Sequence, residues 1–483
     1  MNTLIKAVLL ALVILLLVIG FNTMNYRAPA VVNADVSTIA VDIDRVVVNM
    51  QKAIAYQTVS VEPGVEVDMT PFARFIEFLE SSYPAVHQHT QRTIISDYSL
   101  LFKWQGKDPS LQPVLLTGHY DVVPVIPGTE DQWIALPFAG ELKDGFIYGR
   151  GALDDKSAVI SMMEAAEVLI SSGFQPQRTV YFSFGHDEEV SGLLGAGKIA
   201  SYLKENGVQF AWSLDEGSFV LKGLLPVDKP VAMINVAEKG YVSLEIVATG
   251  VGGHSSMPPA KTAVGKLAEA IVKVQESPFS GGLTGISGDM MDQLGPYLPL
   301  SQRIFMSNRW LFGSIVEKGL SSSPSMNASM RTTIAPTMLS ASPKENVLPI
   351  NATARVNLRL HPRDTTESVK RHFDQALQGM DDISVTIKHG NNASPVASAY
   401  SAGYKALAES VREVFGDVII VPGITVAASD SRHYVVVSDN AYRFNPMQVG
   451  SEDIAGFHGT NERVSIDNLV KAVQFYQTLI SNQ

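Results

Sequence analysis

Leu115-Leu116-Thr117-Gly118-His119-Tyr120-Asp121-Val122-Val123-Pro124 is the stretch on which the reading of this chain turns. Pro113-Val114-Leu115-Leu116 has the look of a short buried strand, and His119 and Asp121 follow where such a strand would end. In a parallel sheet the carboxyl ends of the strands open into the crevice where ligands bind. An imidazole there can take a metal through one nitrogen, while a carboxylate two residues on accepts a bond from its surroundings. A surface turn carrying an ordinary His and Asp would read the same way in isolation, since short His-x-Asp patterns are common. The partners supplied by the rest of the chain decide between the two.

The chain has 483 residues, more than one typical domain, with 46% hydrophobic and 18% charged residues, the balance of a core-forming protein. Its formal net charge of −11 argues against nucleic acid as a partner, because phosphate contacts need clustered Lys and Arg. There is no cysteine, so a metal site must be built from His, Asp and Glu.

Residues 1–25 hold a lone Lys6 and then the apolar run Ala7 to Phe21, apolar on every face. That is the form of an export signal or an N-terminal membrane anchor, slightly short of the roughly 20 residues of a spanning helix. Ala28-Pro29-Ala30 and Val32-Asn33-Ala34 are cleavage contexts set well past the run, which favours an uncleaved anchor with the body outside the cytoplasm, or a secreted protein if cleaved.

The folded body is expected from about residue 46. Thr70 to Tyr83 has helical spacing opened by Thr70 and Pro71. Ser99 to Trp104, Val114 to Thr117 and Thr179 to Phe184 read as strands, and Ser157 to Ser171 and Leu193 to Lys204 as helices. Strands alternating with helices give an α/β domain with a parallel-rich sheet. After Glu238-Lys239-Gly240 the texture changes. Tyr241 to Ala248, Met330 to Ile334, Asn351 to Leu360 and Ile383 to Lys388 read as strands, with helices at Thr262 to Gln275 and Thr366 to Leu377. This βαββαβ order is the ferredoxin-like, split βαβ pattern of a small α+β domain. Phe279 to Ser325 interrupts it without a clear period and is expected as loop and short helix. The division is therefore residues 46–240 and 393–483 for one domain and 241–392 for a second, inserted one.

Four further clusters could carry chemistry. Gly149-Arg150-Gly151-Ala152-Leu153-Asp154-Asp155-Lys156 sets two acids at the head of a helix, where Asp155 could serve simply as a cap and Asp154 could bridge two cations. Gly185-His186-Asp187-Glu188-Glu189-Val190-Ser191-Gly192 follows a buried strand, and its consecutive acids repel unless a cation offsets them. Adjacent Glu residues can divide labour, Glu189 as ligand and Glu188 as a base near a metal-bound water. Ser213-Leu214-Asp215-Glu216-Gly217 places acids after the strand-like Phe210-Ala211-Trp212. Gly456-Phe457-His458-Gly459-Thr460-Asn461-Glu462 sets an imidazole among glycines. Together these form an oxygen and nitrogen ligand set suited to two zinc-like ions about 3.5–4 Å apart.

In order and context the five stretches resemble the co-catalytic dizinc family of aminoacylases, acetylornithine deacetylases, glutamate carboxypeptidases and dipeptidases. Gly185 to Gly192, Asp215-Glu216-Gly217 and Glu238-Lys239-Gly240 are similar to its yeast carboxypeptidase S and secreted N-fatty-acyl-amino-acid synthase/hydrolase types. The resemblance implies a three-layer α/β/α zinc-peptidase domain with residues 241–392 as a lid and dimerisation domain, giving a homodimer. It implies two Zn2+ ions, one on His119 and Asp215, the other on Glu189 and His458, with Asp154 between them and a cis peptide to Asp155. Asp121 would orient His119, and Glu188 would carry the proton from water to the leaving nitrogen. His186, Asp187 and Glu216 match the wording and receive no role. In the lid, His254 in Gly252-Gly253-His254-Ser255 matches an oxyanion-stabilising His that often acts across a dimer. Arg359 matches a clamp for a substrate carboxylate, a task a strand-edge salt bridge would compete with. Asn346 is a weaker substrate contact. Arg432, in Ser429-Asp430-Ser431-Arg432-His433, resembles a substrate-side loop that usually begins with Thr.

The implied activity is hydrolysis, or the reverse formation, of the amide of N-acyl-amino acids or short peptides with a free carboxylate. A dipeptidase is the alternative within the family, and a non-catalytic binding protein of the same fold the alternative outside catalysis. The presence of all seven of His119, Asp121, Asp154, Glu188, Glu189, Asp215 and His458 speaks against the last.

Overall fold

The computed structural model describes residues 2–28, 40–61 and 64–483. The cleavage context Val32-Asn33-Ala34 and most of Ala28-Pro29-Ala30 lie outside them. Val114–His119 sits inside an eight-stranded sheet. The spatial order is Gln91–Ile95, Ser99–Trp104, Val180–Gly185, Val114–His119, Trp212–Leu221, Ala441–Val449, Val231–Glu238, Ile419–Thr425. Val114–His119 runs parallel to both neighbours, with His119 level with Gly185, so these two strands deliver their following loops to one end of the sheet.

Every residue of Val114–His119 is buried, because layers cover both faces of the sheet. Side chains alternate along a strand. Leu116 joins a core with the helices Ile43–Ala55, Lys156–Ser171 and Ile466–Ser481, whereas Leu115 joins Ile199 and Leu203 of Ala196–Glu205 on the opposite face. Two adjacent leucines thus face two helical layers, which is the three-layer α/β/α arrangement. The sheet is mixed rather than parallel throughout: Gln91–Ile95, Ser99–Trp104 and part of Val231–Glu238 pair antiparallel.

A four-stranded antiparallel sheet holds, in order, Thr333–Ser340, Asn351–Leu360, Gly240–Thr249 and Ile383–Asn391. Ala263–Gln275 and Thr366–Ala376 cover one face, where Leu244, Ile246, Val356, Leu358 and Phe373 form its core. Burial along Asn351–Leu360 alternates, and the uncovered face carries Arg359.

Two elements depart from the sequence reading. The expected strand at Phe210 to Trp212 lies at Trp212–Leu221 and continues through Asp215 and Glu216, with a shift of register against Ala441–Val449 between Asp215 and Ser218. The stretch expected as loop and short helix folds into Ile286–Leu294, Leu300–Ser307, Arg309–Ser321 and Pro324–Met330. Pro299 and Pro324 start new helices there, and Leu300–Ser307, Arg309–Ser321 and Pro324–Met330 each bury a single residue, so no sustained apolar period marks them. The following strand accordingly begins at Thr333 instead of Met330.

Near the N-terminus, Thr3–Asn25 is helical and both long and apolar enough to cross a membrane, a test that a signal sequence also passes. Its last turn docks on the helical insertion: Asn22 Nδ2 donates to Asn308 Oδ1 at 2.9 Å, and Thr23 and Ser307 hydroxyls meet at 3.0 Å.

Candidate metal centre

His119 ends its strand with the ring fully enclosed. Its Nδ1 lies 3.0 Å from the Asp121 carbonyl oxygen and 3.3 Å from Asp121 Oδ1, which leaves Nε2 facing inward. Asp121 is itself held by the Ser60 hydroxyl at 2.6 Å and by the backbone N–H groups of Glu188 and Glu189, each at 3.1 Å. One carboxylate therefore fixes both the imidazole and the loop that carries the two glutamates. Burial alone would raise the Asp121 carboxyl, but the His119 and Ser60 hydrogen bonds pull it below the usual range.

Asp154 occupies the turn before Lys156–Ser171 and precedes a cis peptide bond to Asp155. Its Oδ1 is 3.0 Å from His119 Nε2 and its Oδ2 is 2.8 Å from His458 Nε2. The buried Glu462 carboxylate shapes this turn by accepting from the N–H groups of Gly151, Leu153 and Asp154 at 3.1, 2.7 and 3.1 Å. Arg150 donates to Glu462 at 2.7 Å and also reaches the carbonyls of His458 and Gly459 at 3.2 and 3.0 Å. The Arg150–Glu462 pair thus ties the Asp154 turn to the His458 loop, although the two ligand candidates are 304 residues apart. Asp155 stands at the helix N-cap but makes no capping bond; both its carboxylate oxygens are buried without a partner.

Two trios result, each with ligand atoms within 4.8 Å of one another: His119, Asp154 and Glu216, and Asp154, Glu189 and His458. Glu216 Oε1 is 3.5 Å from His119 Nε2, and Glu189 Oε2 is 3.3 Å from His458 Nε2. Asp215, expected beside His119, is in neither trio, although its Oδ2 is also buried without a hydrogen-bond partner; its neighbour Glu216 stands there. The pairing with Ala441–Val449 shifts register just past Asp215, which lies opposite Arg443 while Ser218 lies opposite Phe444, and the two acids have different partners. Asp215 accepts the Thr117 hydroxyl at 2.5 Å inside the sheet, and its neighbour faces the cluster. A strand extended over Gly217-Ser218-Phe219-Val220-Leu221, rich in residues that favour strands, was the available signal. Ser60, Arg150 and Glu462 as positioning residues had no signal in local sequence.

The electrostatics call for cations. Burial pushes Glu188 and Glu216 well above the carboxylate range, and Asp154 adds repulsion in both cases. The Asp154 and Glu189 carboxylates hold the His458 imidazole up at about 10. Glu189 Oε1 is buried without a hydrogen-bond partner. Excess buried carboxylate, an orphaned carboxylate oxygen and inward-facing imidazole nitrogens fit divalent metal bound by nitrogen and oxygen.

The remaining candidates stand apart from these trios. Arg432 Nη2 donates to the Ser191 carbonyl at 3.1 Å, in the segment that follows Glu188 and Glu189. Arg359 lies over the Tyr241 ring at 5.0 Å on the uncovered face of the smaller sheet. His254 is exposed, with its Nδ1 2.8 Å from the Ser256 hydroxyl, and a ribbon pairing His254 with Val347 brings Asn346 beside it. The Asn346 carbonyl accepts from Ser255 N–H at 3.2 Å.

The sequence profile described as "Peptidase family M20/M25/M40" matches residues 115–482. A probable carboxypeptidase S-like 2 protein of Dictyostelium discoideum is 38% identical over 441 residues, covering 90% of this chain and 84% of its own length. The N-fatty-acyl-amino acid synthase/hydrolase of Mus musculus is 39% identical over 443 residues, covering 90% and 86% respectively. The M20 family metallo-carboxypeptidase Sso-CP2 from Sulfolobus solfataricus is similar in fold, with a TM-score of 0.63 at 17% identity over 92% of this chain and 99% of that one.

Proposed function

The chain belongs to peptidase family M20/M25/M40 and is a hydrolase with a metal cofactor, and on that premise we propose that it is a dizinc amidohydrolase acting on N-acyl-amino acids or short peptides with a free carboxylate. The observation that carries this reading is Asp154, whose two oxygens face two different imidazoles. His119, Glu216 and Asp154 hold one ion, and Asp154, Glu189 and His458 the other. When bound, the two ions supply Lewis-acid polarisation of the amide carbonyl and lower the pKa of water.

Glu188 is the general base and acid. It takes the proton as the water oxygen bonds to the carbonyl carbon, and returns it to the nitrogen as the C–N bond breaks. Run backwards, the same steps join an acid and an amino acid with loss of water. Asp121 keeps His119 in the tautomer whose Nε2 is free for metal. Arg359 binds the substrate carboxylate, a match for its planar fork of donors, and Asn346 and Arg432 line the substrate's approach. His254 donates to the oxyanion from the lid of a second subunit, in keeping with its exposure. Thr3–Asn25 anchors the protein in a membrane with the catalytic body outside the cytoplasm.

The test is a panel of N-acyl-amino acids and dipeptides assayed with metal-loaded protein. Wild type should hydrolyse members bearing a free carboxylate, and Glu188→Gln should lose at least the roughly 100-fold typical of general acid–base catalysis while keeping its metal. Equal rates for the two proteins would refute the assignment.

A further inference from the structure

Outside the metal centre, an apolar cavity lies where the helical insertion meets the N-terminal helix. With a volume of about 520 Å³, it opens between the helices Ile286–Leu294, Leu300–Ser307, Arg309–Ser321 and Pro324–Met330 and the loop holding Leu224 to Pro226. Its volume is that of a small-molecule site, typically about 300–1,000 Å³. Gln302, Ser323 and Ser325 are the polar side chains of a lining otherwise made of Leu, Met, Phe, Ile, Val, Pro and Gly. None of the metal-centre residues contributes to it.

Two observations say what would fill it. The first is its mouth. Phe305 and Ile315 line the cavity and yet are 39% and 60% exposed, and Leu300, Trp310 and Leu311 stand exposed on the same two helices. An apolar cavity with an apolar rim accepts an apolar guest from an apolar phase, and Trp is the residue favoured where such a phase meets water. The second is continuity with the candidate membrane span. Tyr26, just beyond Thr3–Asn25, donates its hydroxyl to the carbonyl of Met291, a residue of the lining, at 3.0 Å. Asn22 and Thr23 bond to Ser307 and Asn308 at the junction of the two exposed helices.

We propose that this cavity is a binding site for one long unbranched acyl chain of an amphiphile entering from the bilayer surface. The chain lies among Leu294, Met306, Val316 and Met326, and its polar head stays at the rim near Gln302. Two sources share that chemistry: a free fatty acid or N-acylated small molecule, and a membrane phospholipid.

The experiment uses the full chain in phosphatidylcholine bilayer discs, with a 16-carbon fatty acid bearing a mid-chain photoactivatable diazirine. A parallel arm carries the same chain in phosphatidylcholine, and a four-carbon acid serves as control. After irradiation, mass spectrometry maps the adducts. Labelling should fall on peptides holding Met291, Met306 or Met326, at one chain per protein, and the arm that labels names the source. Gly319→Phe places a ring at a cavity-lining helical position where an added Cβ meets nothing. It should cut labelling about tenfold. Gly313→Phe, equally open on the same helix but outside the lining, should leave it unchanged.

Labelling no greater than that of the short acid, or the same in Gly319→Phe as in wild type, overturns the proposal. So does concentration-dependent self-association that protects these peptides in place of a bound chain. The readout is adduct mass and does not involve turnover, so failure here leaves the hydrolase reading standing, and failure of that reading leaves this site standing.

Discussion

Asp215 and Glu216 are chemically near-equivalent neighbours, and their strand gives them different partners. Glu216 faces His119, and Asp215 faces Thr117 within the sheet. Glu216→Ala should lower the affinity of one metal by more than the roughly 10–100-fold that even outer partners contribute. Asp215→Asn keeps an acceptor for Thr117 and should retain both metals; chelator competition with elemental analysis checks the pair. His458 gives a pH dependence whose sign follows from its neighbours. Asp154 and Glu189 raise it from 6.5 to about 10, so in metal-free protein at pH 8 the ring carries a proton that metal must displace. Metal affinity should therefore climb with pH by about tenfold per unit for each proton released, flattening near the raised pKa. Calorimetric titration in buffers of different ionisation enthalpy should count at least one proton at pH 8.

At the level of elements, the legible ligand candidates were those that lie at a strand end or in a short segment just after a strand or helix, where the sequence suggests such an end. His119 and Glu189 follow buried runs closed by glycine or acid, and His458 lies among glycines, so their environment is local. The Trp212–Leu221 strand outlasts its apolar opening by several residues, and its register against Ala441–Val449 shifts just past Asp215, so which acid faces the cluster is set by the fold and not by the local sequence. The helical insertion was illegible for another reason, since Leu300–Ser307, Arg309–Ser321 and Pro324–Met330 each bury a single residue and so present no apolar face to read. The tie between the Asp154 turn and the His458 loop was invisible because Arg150 and Glu462 meet only in the folded chain. Glu462→Ala leaves a buried guanidinium without its carboxylate, and three turn N–H groups without an acceptor. Loss of about 3–5 kcal/mol is expected. Thermal unfolding of the metal-stripped variant should register it, together with weakened metal retention after reconstitution.

At the level of the whole molecule, the two sheets are joined at Glu238-Lys239-Gly240, and each residue is committed to a different body. Glu238 lies 3.3 Å from the buried Arg443 in the larger sheet, Gly240 opens the smaller one, and Lys239 donates to the carbonyls of Ala328 and Arg331 at 2.8 Å each. Burial lowers the Lys239 ammonium to about 7, so the folded chain sheds this proton more readily than the unfolded one, and holding the lysine here costs most in acid and less as pH rises through that value. Lid orientation bears on the proposed role of His254 from a second subunit. Mixing inactive His254→Ala and Glu188→Gln proteins, with subunit exchange, should restore about a quarter of wild-type turnover by random pairing in a symmetric dimer. Absence of recovery, with exchange verified by mass, would assign His254 to its own subunit or to none.

The fold also sets an order of events during synthesis. His119, Asp154 and Glu216 belong to the first half of the chain, while His458 and Glu462 follow the smaller sheet and the last strands of the larger one. The His119 trio can be complete while more than half of the protein is still untranslated. The second trio cannot exist until residue 458 has left the ribosome, and the Asp154 turn shared by both is not held by Glu462 until four residues later. On the proposed two-metal reading, a nascent chain could therefore meet metal at one trio before it can gather the other, and full occupancy would mark a chain whose final segment has folded back onto its first.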